Sequence, residues 1–150
     1  MRLTRKSDYC LRILMFCAAS GNRVSRVSDI AAAYQVGQPF IFKLLGPLVS
    51  AGIVETTRGR NGGVRLGRPP SQITIGEVIR LTEDTLSLAD CFEDDGPECP
   101  LETACQLRGV FSRALDAFLE VLDDTTIDDL SKPSAAVVNL LAQIEGSDRR

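Results

Sequence analysis

Apolar positions recur at helical spacing through the first third of this chain. Between Tyr9 and Ala19, Leu11, Leu14, Met15 and Ala18 fall three or four residues apart, or side by side. This predicts an amphipathic helix with Thr4 or Ser7 as its N-cap. Val27 to Tyr34 predicts a second helix capped by Ser28, and Gln38 to Ser50 a third, with Gln35-Val36-Gly37 as the turn between them. Two helices joined by a short turn containing glycine form the helix-turn-helix pattern. Pro39 suits the first turn of the third helix. Pro47 is expected to end that helix early or kink it, because its ring clashes with the carbonyl of Lys43.

The pattern then changes to that of strands. Ile53 to Thr57 and Val64 to Leu66 are β-rich runs, and the Gly59 to Gly63 segment between them contains Asn61-Gly62, which tolerates positive φ and suits a hairpin loop. A hairpin directly after a recognition helix is a wing, and Arg58, Arg60 and Arg65 cluster about it. Arg68-Pro69-Pro70-Ser71 reads as a stiff boundary between a DNA-binding domain, residues 1–70, and a second region, residues 71–150. Beyond it, Ile75 to Leu81 predicts a short helix and about Thr103 to Asp123 the longest one. Leu107, Val110, Phe111, Ala114, Leu115, Phe118, Leu119 and Leu122 form a continuous apolar stripe along that long helix. A stripe of this length in a small chain calls for a partner surface, and a second copy of the chain is the expected one. Thr126 to Asp129 resembles a capping box, Pro133-Ser134 starts another element, and Gly146 to Arg150 reads as a frayed end. The expected fold is mainly α: a winged helix-turn-helix DNA-binding domain with a small β-hairpin wing, plus a long C-terminal dimerisation helix.

Charge divides the chain at the same boundary. The net charge of −3 conceals 11 Lys and Arg against 3 Asp and Glu in residues 1–70, and 6 against 17 in residues 71–150. A basic half is the footprint of phosphate binding, and an acidic half would be repelled by the same polyanion. No segment of the 150 residues has the run of apolar residues a membrane span needs, and none reads as a cleaved signal, so a cytoplasmic protein without membrane contact is expected.

Five cysteines and no histidine bound the inorganic chemistry. Cys10 and Cys17, seven apart on one helix face, read as small core residues. Cys91, Cys99 and Cys105 lie in one acidic segment, CFEDDGPECPLETAC, and three thiolates so close in sequence favour zinc or an iron–sulfur cluster over a hard cation. Their spacing, C-x7-C and C-x5-C, is wider than the knuckle of structural zinc and suits a larger object such as a cluster. A fourth ligand must then be an oxygen, from Glu93, Asp94, Asp95 or Glu98, or from Asp8 if a dimer brings the partner's N-terminal helix to the segment. Stray reduced cysteines or a redox thiol pair are the plainer alternatives. Hydrolytic or transferase chemistry has little support, since histidine is absent and no nucleophile–base pair is evident; the chain is not expected to be an enzyme.

Several motifs taken together resemble a known family. MRLTRKSDYCLRILMF, the helix-turn-helix, RGRNGGVRLGRP, ITIGEVIRLTED and the three-cysteine segment are similar to the bacterial iron–sulfur winged-helix regulators that include IscR, NsrR and RirA. The likeness spans about residues 1–132. The wing and cysteine motifs look closest to the iron-responsive RirA branch. The resemblance implies a homodimer reading a pseudo-palindromic double-stranded operator and an iron–sulfur cluster on Cys91, Cys99 and Cys105, 4Fe-4S in preference to 2Fe-2S. It also implies DNA contacts from Ser28, Gln38, Phe40 and Lys43 on the helix pair and from Arg58, Arg60, Asn61, Gly62 and Gly63 in the wing. Pro39 and Phe40 replace the small polar residues often seen early in that helix, which bears on the operator sequence. The implied function is an iron-responsive repressor of iron-uptake genes. A nitric-oxide sensor of the same family, which can use an aspartate at the position of Asp8, is the alternative, and a cluster-carrying redox protein is a third reading.

Overall fold

Helix α1, Arg5–Ala19, is the element against which most others pack. The computed structural model describes residues 2–21, 23–59, 62–89, 92 and 105–131. Thr4 caps α1, its hydroxyl accepting from the Ser7 N–H at 3.4 Å. The helix thus begins at Arg5, as a Thr4 cap requires, four residues before the apolar pattern begins at Tyr9. Its first inward position is Ser7, fully buried yet polar, and apolar periodicity cannot register it. Ser7, Cys10, Leu14 and Cys17 then bury one stripe at helical spacing.

Helix α2, Val27–Ala33, and α3, Gln38–Ser50, form the helix-turn-helix. Ser28 is not the cap of α2, contrary to expectation. Ser25 and Val64 exchange backbone hydrogen bonds at 2.8 Å in both directions, which holds the chain extended up to Arg26 and places Ser28 inside the first turn, bonded to Asp29. In the interhelical turn Gln35 takes the left-handed conformation at φ 53°. The Val36 N–H reaches the Ala31 carbonyl and the Gln35 N–H that of Ala32, a pair of bonds that more often closes around glycine. Helix α3 runs through Pro47 without ending early.

Strands β1, Val54–Thr57, and β2, Gly63–Leu66, pair antiparallel with Val54 opposite Leu66 and Thr57 opposite Gly63. This is the expected wing. A Cβ at Gly62 would strike the Thr57 carbonyl and one at Gly63 the Ser25 carbonyl, so the wing's own packing requires both glycines.

The expected boundary at Arg68–Ser71 is a bend in the chain and not a gap in the packing. After a 3-10 turn at Pro70–Gln72 come α4, Ile75–Thr82, α5, Gln106–Asp123, and α6, Ile127–Ser131. Ile73, Ile75, Val78, Ile79 and Ile127 join Cys10, Ile13, Leu14, Ile41, Leu48, Ile53 and Val64 in one apolar cluster. The cluster is closed at its lower edge by reciprocal backbone bonds, Ile75 N–H to Thr125 and Ile127 N–H to Ile73, each 2.9 Å. Thr126 and Asp129 cap α6 as the sequence implied, each backbone N–H reaching the other's side-chain oxygen, at 3.1 and 3.2 Å. Helix α5 buries no residue fully. It is held to α4 by the bidentate pair Arg80–Asp123, at 2.5 and 2.6 Å. Among the described residues no helix is long and apolar enough to cross a membrane. The elements expected at Pro133 and beyond Gly146 lie outside the described residues.

Candidate nucleic-acid interface

A cleft of about 660 Å³ opens between the start of α2, the outer face of α3 and the root of the wing. Its position follows from the periodicity of α3. Ile41, Leu44, Leu45 and Leu48 turn one face of that helix into the core, which leaves Gln38, Phe42, Gly46 and Val49 on the neighbouring face lining the cleft. Arg26 and Ser28 border it from α2, and Arg58, Gly59, Gly62 and Gly63 from the wing. Cations at its rim and a helix along one side suit a nucleic-acid groove.

The structure brings Ser28, Gln38, Arg58, Gly62 and Gly63 together here, with Lys43 exposed one residue beyond Phe42. Phe40 lies elsewhere. Two residues span about 200° of helix, so Phe40 turns away from Phe42 and meets the Tyr9 ring edge-on at 5.2 Å, with the Arg5 guanidinium 5.6 Å from its centroid. Phe40 therefore anchors α3 to α1. Arg65 is paired across the hairpin with Glu55 at 2.7 Å. Arg60 and Asn61 lie outside the described residues. Sequence reasoning missed Arg26 and Phe42. Helical spacing puts both Phe40 and Phe42 off the face that carries the core leucines, and the fold then covers Phe40 and leaves Phe42 exposed.

Of the three clustered cysteines, Cys105 is described. It occupies the N-cap of α5, half-buried, while Cys91 and Cys99 and the acidic residues Glu93, Asp94, Asp95 and Glu98 lie outside the described residues. Phe92 packs under Arg108 of the first turn of α5, guanidinium to ring centroid 5.7 Å, so the described residues at the two ends of this segment meet at the start of α5. Cys10 and Cys17 belong to the core instead. Burial pushes the Cys10 thiol up to about 11, with Lys6 pulling back, and that of Cys17 up to about 12, with a hydrogen bond to Ser25 opposing it. Among the described residues, one thiol of the expected ligand set, that of the half-buried Cys105, thus stands at the positive end of a helix.

Asp8 stands in the first turn of α1 and pairs with Arg12 at 3.0 Å, both side chains about half exposed. Near it, one oxygen of Glu83 accepts from the Thr4 N–H at 2.7 Å, from the Thr4 hydroxyl at 3.0 Å and from the Ser7 hydroxyl. Burial works to raise the Glu83 carboxyl, but these bonds, with Lys6 nearby, outweigh it and hold it below the usual glutamate value.

A recognition helix beside a β-hairpin wing, with cations around the cleft between them, defines a winged-helix DNA-binding protein. A family model described as "Iron-dependent Transcriptional regulator" matches residues 3–133, and the chain belongs to that family, Rrf2. It is a DNA-binding transcription regulator. Protein aau3 of Rhizobium meliloti strain 1021 is 50% identical over 97% of this chain and 94% of its own length. The HTH-type transcriptional regulator NsrR of Geobacillus kaustophilus is 42% identical over 97% of this chain and all of its own. Among solved structures, CymR, the global cysteine regulator of B. subtilis, aligns with a TM-score of 0.72 at 33% identity, covering 87% of this chain and 96% of its own.

Proposed function

We propose that the chain is an iron-responsive repressor of iron-uptake genes, acting as a homodimer on double-stranded operator DNA and sensing iron through an iron–sulfur cluster. The observation that carries this reading is the pairing of a cation-rimmed helix–wing cleft with the half-buried Cys105 at the end of a three-cysteine segment. Cys91, Cys99 and Cys105 would hold the cluster, 4Fe-4S in preference to 2Fe-2S, with the fourth position open to an oxygen ligand, from Asp8 of the partner subunit, from a carboxylate of the segment or from solvent. When bound, the cluster supplies a tie between that segment and α5 that iron scarcity or oxidant undoes. The remaining roles belong to the chain itself. Gln38 and Lys43 meet base edges, Ser28 meets a phosphate, and Arg58, Arg60 and Asn61 enter or flank the minor groove, with Gly62 and Gly63 letting the wing approach closely. Phe40 acts on DNA only by holding α3 in place against Tyr9. The spacing of the two recognition helices then sets operator affinity.

Anaerobic purification with iron, followed by visible absorbance and titration onto promoter fragments of iron-uptake genes, tests the reading. A coloured protein should lose operator affinity about tenfold or more on iron chelation, the coupling expected of linked sites. A colourless zinc protein whose affinity ignores iron would overturn it. Asp8 is exposed at the start of α1 and several relatives are named NsrR, which favours nitric oxide as a second reading of the same site. Titration with nitric oxide at constant iron separates the two signals.

A further inference from the structure

We infer that Phe42 is a specificity-determining residue that reads the 5-methyl group of thymine, with Gly46 as the notch that lets the base pair reach it. The inference rests on the proposed use of the α3–wing cleft for DNA and adds the base and the side chain. Phe42 is 58% exposed, the one aromatic among the exposed large apolar side chains of the described residues. The protomer's core does not use it, since Ile41, Leu44, Leu45 and Leu48 fill the inward face of α3. It lies instead in the cleft rimmed by Arg26 and Arg58, and an apolar ring held among cations is placed for a polyanion that carries apolar groups. In the major groove only one base edge offers such a group, the thymine methyl.

Gly46 supplies the second observation. It sits one turn after Phe42 on the same face, and a Cβ built there would meet nothing within 4 Å. Its backbone is right-handed, so neither conformation nor packing within the protomer demands glycine, the weakest helix former after proline. A bare patch kept beside an exposed ring, at a cost to the helix, serves a surface that approaches from outside.

The test uses the full-length protein. Sites are selected from random duplex DNA, and each thymine is then replaced by deoxyuridine, which removes only the methyl group. One thymine per half-site should show a loss of about fourfold, the value of one buried methylene-sized group. Phe42→Ala should abolish that discrimination while Phe42→Leu keeps part of it, both with the wild-type circular dichroism. Gly46→Ala should melt about 2–4 °C higher and bind more weakly. Absence of a methyl-sensitive thymine, undiminished discrimination in Phe42→Ala, or full affinity in Gly46→Ala overturns the inference. Lys43→Ala and Arg58→Ala separate it from the reading beneath it. If both leave DNA affinity unchanged, the cleft itself is not the DNA site; if they weaken binding while Phe42→Ala keeps its discrimination, only the thymine assignment fails.

Discussion

At Glu83 a single carboxylate oxygen takes hydrogen bonds from Thr4 and Ser7 and so fastens the end of α4 to the first turn of α1. Its pKa is lowered in the folded chain, so the stability it adds is present above the ordinary glutamate value, 4.5, and is lost as pH falls through the lower folded value. Glu83→Gln should cost about 1 kcal/mol at pH 7, a charge-assisted bond discounted for solvent. The gap between variant and wild type should close as pH is brought below about 4.5. Thermal unfolding followed by circular dichroism at pH 7 and pH 4 checks this, and an equal gap at both would sink it. Residues of this kind were hard to see in the sequence. Ser7 and Glu83 are polar and 76 positions apart, and only the fold shows that they meet. Cys10 and Cys17 were legible as core because helical spacing alone put them on one face, and both are fully buried. Phe40 and Phe42 stand on opposite flanks of the Ile41, Leu44, Leu45 and Leu48 face, and only the fold shows that α1 covers the Phe40 flank and leaves Phe42 exposed.

Among the elements, α3 departs most from local chemistry. Pro47 offers no N–H to the Lys43 carbonyl, yet the helix continues to Ser50. Leu45 and Leu48 are buried on either side of the proline, and the Pro47 and Leu48 carbonyls are satisfied by the N–H groups of Ala51 and Ile53, at 3.0 and 2.9 Å. Burying leucines, each worth about 1.5–3 kcal/mol, outweighs the local penalty of the proline. Pro47→Ala should therefore stabilise the protein, by up to about 3 kcal/mol, with the helical signal of circular dichroism unchanged. A variant no more stable than wild type in urea would show that the carbonyl of Lys43 loses nothing to the proline. The wing's two strands and the α6 cap were legible because short-range chemistry marks them, two β-rich runs around a glycine-rich segment and Thr126 three residues before Asp129, although the positive φ of that segment falls at Gly59 and not at Gly62. The first residue of α2, Val27, was legible, but its cap was misplaced at Ser28, because a long-range bridge, Ser25 to Val64, holds the chain extended up to Arg26.

For the whole molecule, the question is what the apolar surface is for. The core runs unbroken from α1 into α4 and α6, so residues 1–70 alone would lose Ile73, Ile75, Val78, Ile79 and Ile127 from the cluster. That fragment should show no cooperative thermal transition, whereas a folded one would restore the boundary at Arg68–Ser71. Helix α5 differs from the rest, because its stripe was plain in the sequence and is only partly covered within the protomer: Phe111, Leu115, Phe118, Leu119 and Leu122 are half-buried, whereas Leu107 is 57% and Val110 48% exposed, and Val121 beside them is 65% exposed. Its 18 residues extend about 27 Å at 1.5 Å per residue, enough for a second copy of the same helix to cover. Since Val110 and Val121 touch little within the protomer, Val110→Glu with Val121→Glu should leave the melting of an isolated protomer intact while placing four carboxylates in a dimer seam. The dimer dissociation constant should rise about a hundredfold or more, from 1–3 kcal/mol for each unsatisfied polar group buried. Sedimentation velocity at micromolar concentration should then show a monomer. Its affinity for a single half-site should match the wild type's, while its affinity for a full two-half-site operator should fall, because half-sites read by unlinked proteins no longer add. A variant that sediments as a dimer would mean that another surface joins the copies and that the stripe on α5 serves a different partner.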